Sequence, residues 1–432
     1  KLKNINWKPI LLITIGMVYF GMIIISIKDP MSPIHYGGDY IAFWSAGKVA
    51  NEYGYSKVYD MDLLGRAQFT GLYEIGYAKE SQRSTFTTLP APFLSFYLVP
   101  FQFLSRINNI ELSYWIWCLC NIVVLVTYLL FFLRRVIHPG LNLVSRLIFL
   151  LLSVISFSVF DNFVNGQVNI FMMVCCGEFI RNTVGEKPFL SGVWLAGLLM
   201  KPQMLILILP LILIMRYWKV FWGFVITAGF IGAISCFLSG LDGFIALIKL
   251  WVQFPTEFGG YNAVTGPEMM INWRMIGLNT NRLLNSSGDW VITFIGIAIT
   301  ITVVILIMET RPIFGSPRWV VSMLGVFSAT LAVTWHSHYH MALVLIPLLI
   351  YSTASKLIPE IVFYLFSVIT PLSVIGSVLV YRALHFLMTS QLTDETGMVI
   401  AVSGFLMNMV IVYWVFRNTY MVKVKEEAKI EH

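Results

Sequence analysis

His35-Tyr36-Gly37-Gly38-Asp39-Tyr40-Ile41-Ala42-Phe43-Trp44 heads the longest polar stretch of the chain, which runs from Lys28 to about Pro92. It sets a carboxylate behind two glycines and ahead of an amphipathic run, directly after an apolar run at Ile10–Ile27. An apolar run of this kind, close to the roughly 20 residues that a bilayer crossing needs, reads as a membrane span. The polar stretch is then a large first external loop, residues 28–92, and everything beyond it can be placed by alternation.

Outward from that loop, apolar runs recur almost to the end. The 432 residues are 58% hydrophobic and 12% charged, against about 45–50% and 25% in a soluble domain, which excludes an ordinary globular composition. The runs are continuous in polarity, so helices are expected and a β-barrel is not. The net charge of +7 is scattered through short loops and follows the cytoplasmic Lys/Arg bias, which argues against a nucleic-acid partner. Cys118, Cys120, Cys175, Cys176 and Cys236 all fall in apolar runs and read as small core residues. Lys1, Lys3 and Lys8 precede the first run, which has no small-residue cleavage site, so it is expected to be a retained helix.

The basic start places the amino terminus in the cytoplasm and Asp39 outside. Tyr40–Asn51 and Met61–Lys79 are expected to be helices lying in the membrane interface. Phe93–Leu104 is short, contains Pro100 and is taken as re-entrant, so that Leu112–Leu133 runs inward to Arg134-Arg135. Further crossings follow at Leu143–Phe160, Val168–Ile180, Phe189–Met200, Met204–Met215 and Phe221–Leu238. After an external segment, residues 239–289, come Trp290–Met308, Trp319–Val333, Met341–Ser355, Ile361–Val380 and Val399–Phe416. The expectation is an all-α polytopic membrane protein of about 12 transmembrane helices. It forms one domain over residues 1–432 in the plasma membrane, with a tail at 418–432 and both termini in the cytoplasm.

This topology puts the unusual polar groups at external span ends, where ionisable side chains are functional candidates by default. Asp39 fits two roles. It can cap the following helix, or serve as a general base whose pKa is raised at a partly dry membrane edge. Asp29, before Pro30, reads as the turn ending the first span, and Asp60 and Asp62 read as caps. His336, His338 and His340 alternate. They can bind an anionic substrate, assist proton transfer or hold the interface, and a zinc site lacks a matched third ligand. Lys201, beside Pro202, either snorkels or binds a phosphate, and Arg274 and Arg282 are further phosphate candidates. Asn165 and Gln167 either bind a sugar or close the turn around Gly166.

Several of these segments together resemble a known family. They are Gly38-Asp39-Tyr40 with Val58-Tyr59-Asp60, Pro90-Ala91-Pro92-Phe93, Asn165-Gly166-Gln167-Val168-Asn169 and Gly192–Gly197 leading to Lys201-Pro202. The last is Thr334-Trp335-His336-Ser337-His338-Tyr339, ahead of Pro347. Over about residues 8–420 the chain resembles glycosyltransferase family 87, polyprenol-phosphate-mannose-dependent mannosyltransferases of the GT-C fold. It departs from the family's Tyr-Pro-Pro pattern at Leu89-Pro90-Ala91-Pro92.

The resemblance implies inverting transfer of a hexose, mannose in this family, from a polyprenyl-phosphate donor to the hydroxyl of a glycolipid or glycan acceptor at the external face of the cell envelope. It carries the base onto Asp39 and the family histidine onto His338, then His336. Trp335 and His340, in the same segment, are further candidates for binding the substrate or its lipid phosphate. No metal and no other cofactor is implied, and membrane lipids are the remaining partners. A lipid transporter or flippase is the rival class, but it would show inverted repeats and midplane charges, and none is evident.

Overall fold

The computed structural model describes residues 13–19, 21, 23, 24, 32–137, 142–253, 266, 269–285, 287–385 and 393–430. Lys1, Lys3, Lys8 and the Asp29-Pro30 turn lie outside these residues. So does most of the 254–268 part of the second external segment. Every regular element among the described residues is helical, as the continuous apolar runs require.

Four helices are long and apolar enough to cross a membrane alone: Ile110–Arg135 (α4), the span within Trp218–Gln253 (α10), Asp289–Glu309 (α12), and Gly397–Val424 within Thr393–Ile430 (α16). Leu143–Val154 (α5) and Phe157–Val164 (α6) make a fifth span, bent by 42° at their junction. The other expected crossings beyond Phe93 fall on shorter apolar helices. Among these are Asn169–Val184 (α7), Pro188–Leu195 (α8), Ile208–Ile214 (α9), Pro317–Val333 (α13), Leu345–Ala354 (α14) and the Glu360–Ser373 part of Glu360–His385 (α15). Side chains cap several starts. Asn109 accepts from Leu112 N in α4, Asn142 from Ser145 N in α5 and Ser316 from Trp319 N in α13.

The large core lies among the later helices. In α13 every residue from Trp319 to Ala332 is buried, and α14 is buried from Leu345 to Thr353. A helix apolar on all sides belongs inside a bundle, and these two occupy its centre. Lipid meets the outer helices instead, through exposed side chains such as Leu119, Phe230, Phe237 and Phe294. Cys120 is exposed on that outer surface, unlike the buried Cys118, Cys175 and Cys176.

The long polar stretch and the 239–289 segment both carry helices packed against the rest of the protein. The aromatic face of Tyr40–Tyr53 (α1) is covered by protein, with Tyr40 and Trp44 fully buried. Its aromatic face meets rings of Ser95–Leu104 (α3) and α4: Phe43 packs on Phe93 and Phe101, and Tyr40 packs on Tyr114 and Trp117. Met61–Glu74 (α2) packs beside α1, and Gln68 on it clamps the backbone of Leu89 in both directions, at 2.7 and 2.9 Å.

Within the 239–289 segment, residues 241–253 and 269–285 are described. Gly240, at φ +67°, kinks α10, and residues 241–253 turn back onto the first loop, where Trp251 Nε1 donates to Pro92 O at 2.8 Å. Trp273–Leu284 (α11) follows, started by Asn272, whose side chain accepts from Met275 N. The first loop and residues 241–253 therefore form one folded layer over one end of the bundle.

Candidate active site

Four breaks between helices converge beneath that layer: the turn before α1, the turn between α6 and α7, the break at Lys201-Pro202, and the stretch after α13. Gly37 and Gly166 make the first convergence possible. Both have positive φ, and a Cβ on Gly166 would lie 2.6 Å from Tyr40 Cβ. Backbone bonds then zip the two turns together. Gly38 N donates to Val164 O, and the N–H groups of Asp39 and Tyr40 both donate to Asn165 O, at 3.0 to 3.2 Å. Tyr114 and Trp117 of α4 clamp the same turn through Phe163 O and Gly166 O.

Asp39 stands at the N-cap position of α1 but makes no side-chain cap bond. Its carboxylate instead accepts a short hydrogen bond from Gln167 Nε2. By contrast, Asp60 is a true cap, accepting from Asp62 N and Leu63 N. The capping reading of Asp39 is therefore not what this geometry supports. Surrounding protein pushes the Asp39 pKa upward, and nearby Asp161 adds to the rise. The Gln167 bond and the Lys201 charge pull the other way.

A second chain of contacts starts at Asp161, near the end of α6. Its Oδ1 accepts from Asn165 Nδ2 at 3.0 Å, and its Oδ2 accepts from His340 N at 2.9 Å and meets His340 Nδ1 at 3.1 Å. Nε2 of His340 meets Lys201 Nζ at 3.1 Å. An ammonium can only donate, so Nε2 accepts and the ring proton sits on Nδ1, facing Asp161. The carboxylate thereby fixes the tautomer that holds Lys201. Lys201 is buried in the break between two short apolar helices, outside both. Burial lowers its pKa to about 8, against the raising influence of Asp39 and Asp161.

The histidine stretch is strapped from above. Asn272 Nδ2 donates to Thr334 O and Trp335 O, and Ile271 N donates to Ser337 O at 2.8 Å. His336 and His338 have ring centroids 4.5 Å apart, and His338 stacks on His340 at 5.3 Å. Burial moves His336 down to about 4 and His338 well below the usual histidine range, with Lys201 adding to both shifts, so the two rings are neutral at pH 7. Arg274, on the first turn of α11, lies over the half-exposed Trp335 ring at 3.8 Å. Among the described residues no three His, Cys, Asp or Glu side chains are grouped to hold a metal ion, and both His340 nitrogens already have partners.

Of the sequence candidates, Asp39, Asn165, Gln167, Lys201, His336, His338 and His340 come together, with Trp335 and Arg274 at the edge. Arg282 does not join them. It is exposed in the last turn of α11, about 12 Å along the helix from Arg274. Asp161 and Asn162 were not among the candidates. Asn162 is buried and accepts from Asn169 N at 3.1 Å, shaping the turn that presents Gln167. The signal for both lay in Asp161-Asn162, two polar residues ending an apolar run four residues before Gly166.

The arrangement puts two carboxylates, Asp39 with a raised pKa and Asp161, one buried ammonium and several neutral hydrogen-bonding groups at one end of an apolar helix bundle. Over residues 91–334, more than half of its length, the sequence matches the model of glycosyltransferase family 87. The chain belongs to that family. It is a membrane-embedded glycosyltransferase, acting between a sugar donor and an acceptor. No curated protein and no solved structure matches it. The matched residues include Asn165, Gln167, Lys201 and Arg274. Asp39 and the three histidines lie outside them; Asp39 is bonded to Gln167 and His340 to Lys201, and the His338 ring stacks on His340.

Proposed function

We propose that the enzyme moves a hexose, mannose by family resemblance, from a polyprenyl-phosphate donor to the hydroxyl of a glycolipid or glycan acceptor. The reaction takes place on the external face of the plasma membrane, with inversion, in a twelve-span GT-C fold. The observation that carries this reading is the pairing of Asp39 with Gln167 beside the Asp161–His340–Lys201 chain.

Asp39 is the general base. Its Oδ2 is engaged by Gln167, while Oδ1 accepts no hydrogen bond among the described residues and faces no competitor for a substrate hydroxyl. A raised pKa matches a carboxylate to proton abstraction near neutral pH. As the acceptor oxygen bonds to the anomeric carbon, its proton passes to Asp39. The bond from that carbon to the phosphate oxygen breaks, and the phosphate leaves with the electron pair. A polyprenyl phosphate is a good leaving anion and needs charge stabilisation, not a proton. Lys201, held by His340, supplies it, and Arg274 with the N–H groups of His336 and His338 extends the anion-binding edge. The Oε1 of Gln167 is buried without a donor, which suits a sugar hydroxyl. The prenyl tail stays among lipids beside the short apolar helices while the head reaches Lys201.

The test is to incubate purified enzyme with a panel of polyprenyl-phosphate sugars and a glycolipid acceptor, and to determine the anomeric configuration of the product. Transfer from polyprenyl-phosphate mannose with inversion is expected. Transfer from none of the panel, or only from a nucleotide sugar, would refute the donor class.

A further inference from the structure

A separate cavity of about 510 Å³ lies where the loop between α12 and α13, the turn after α14 and the end of α16 meet. The helix α13 begins at its rim and ends just before Trp335, so some 25 Å of helix separates the cavity from the histidines. The helix α16 spans the same distance, with Gly404 against the Tyr339 ring and Lys423 in the cavity wall. This separation is close to the roughly 30 Å hydrocarbon thickness of a bilayer, which puts the cavity at the other membrane edge.

Its wall carries Arg311, Arg318 and Lys423 and no carboxylate among the described lining residues. Arg311 and Arg318 are exposed and form no ion pair with a described residue, while Lys423 Nζ donates to Glu309 O at 3.3 Å. Ser316 and Ser355 add hydroxyls, and Ser316 starts α13, whose positive dipole end faces the same space. Ile313, 79% exposed, gives the rim an apolar lip. Three cations, two hydroxyls, a helix start and a greasy edge at headgroup depth match one chemistry.

We propose that this cavity binds a phosphate-bearing anion at the membrane edge opposite the active site, the source being the headgroup of an anionic phospholipid. Basic pockets between membrane helices recognise such headgroups by charge and by hydrogen bonding to the phosphate. Binding there ties together the ends of α13 and α16, the helices that carry the histidine stretch and its Tyr339 packing. The proposal stands independently of the donor assigned above.

The test uses lipid-depleted full-length enzyme, its melting temperature followed as phosphatidylglycerol, phosphatidylcholine with the same acyl chains, or inorganic phosphate is added. Phosphatidylglycerol is expected to raise the melting temperature saturably and phosphatidylcholine to leave it unchanged. The double variant Arg311→Gln/Arg318→Gln is expected to bind phosphatidylglycerol about 30-fold more weakly, the loss for two near-surface cations. Should the double variant melt early without lipid, the two single variants, read by phosphatidylglycerol retained in native mass spectra, give the same comparison. An equal rise with inorganic phosphate alone would support the site but overturn the lipid as its source. Equal responses to both lipids, or a phosphatidylglycerol response undiminished in the variants, would overturn the site.

Discussion

Replacing Asp39 by Asn separates chemistry from architecture at the centre of the site. The side chain caps no helix, and its one side-chain bond is accepted from Gln167, a role that the Asn oxygen can also fill. The turn is held by the backbone bonds of Gly38, Asp39 and Tyr40 to Val164 and Asn165, which the substitution leaves intact. Stability should therefore change by less than about 1 kcal/mol, within the range of an altered neutral hydrogen bond. What disappears is the proton acceptor. General-base assistance contributes roughly 10²- to 10⁴-fold, so kcat should fall by that factor, or about 3–5 kcal/mol in barrier, with donor affinity nearly unchanged. The assay is single-turnover transfer from the donor established in the panel, alongside equilibrium donor binding and a thermal melt. Wild-type turnover in Asp39→Asn would show that the base is elsewhere. A variant that melts many degrees early would show that Asp39 is structural.

Other outcomes follow from the same geometry. Because burial keeps the Asp39 carboxyl protonated to a higher pH than usual and brings Lys201 down to about 8, kcat/KM should be bell-shaped. The acid limb rises as Asp39 loses its proton and the alkaline limb falls as Lys201 loses its charge. In Lys201→Arg the alkaline limb should retreat to higher pH, and a limb that stays put would clear Lys201 of it. Asp161→Asn removes the carboxylate that fixes the His340 tautomer. At roughly 1.5–3 kcal/mol for a charge-assisted hydrogen bond, transfer should fall by about 10- to 100-fold, with the loss in donor KM as well as in kcat. An effect confined to the melting temperature would make Asp161 a packing residue only. Gly47→Ala would set a Cβ 2.2 Å from Phe101 O where α1 crosses α3. It should destabilise the detergent-solubilised enzyme by about 1–3 kcal/mol through overpacking, and an unchanged melt would refute that crossing.

The amino-acid sequence by itself determined that this is a helical membrane protein, because continuous apolar runs admit no other solution in lipid. It also located Asp39, Gln167, Lys201 and the histidines, because polar groups at the ends of such runs are costly and stand out. It did not show what covers α1, since an amphipathic aromatic helix reads the same whether its face meets lipid or the rings of Phe93, Tyr114 and Trp117. It passed over Asp161, whose position at the end of an apolar run carries no periodic signal. Only the tertiary structure decided that Asp39 faces Gln167 and not its own helix. The reason is that Gly37 and Gly166, 129 residues apart, both adopt positive φ and let two turns touch. The same packing decided that Asp161, His340 and Lys201 share one hydrogen-bonded line, since their partners are set by contacts between helices and not by spacing along any one of them.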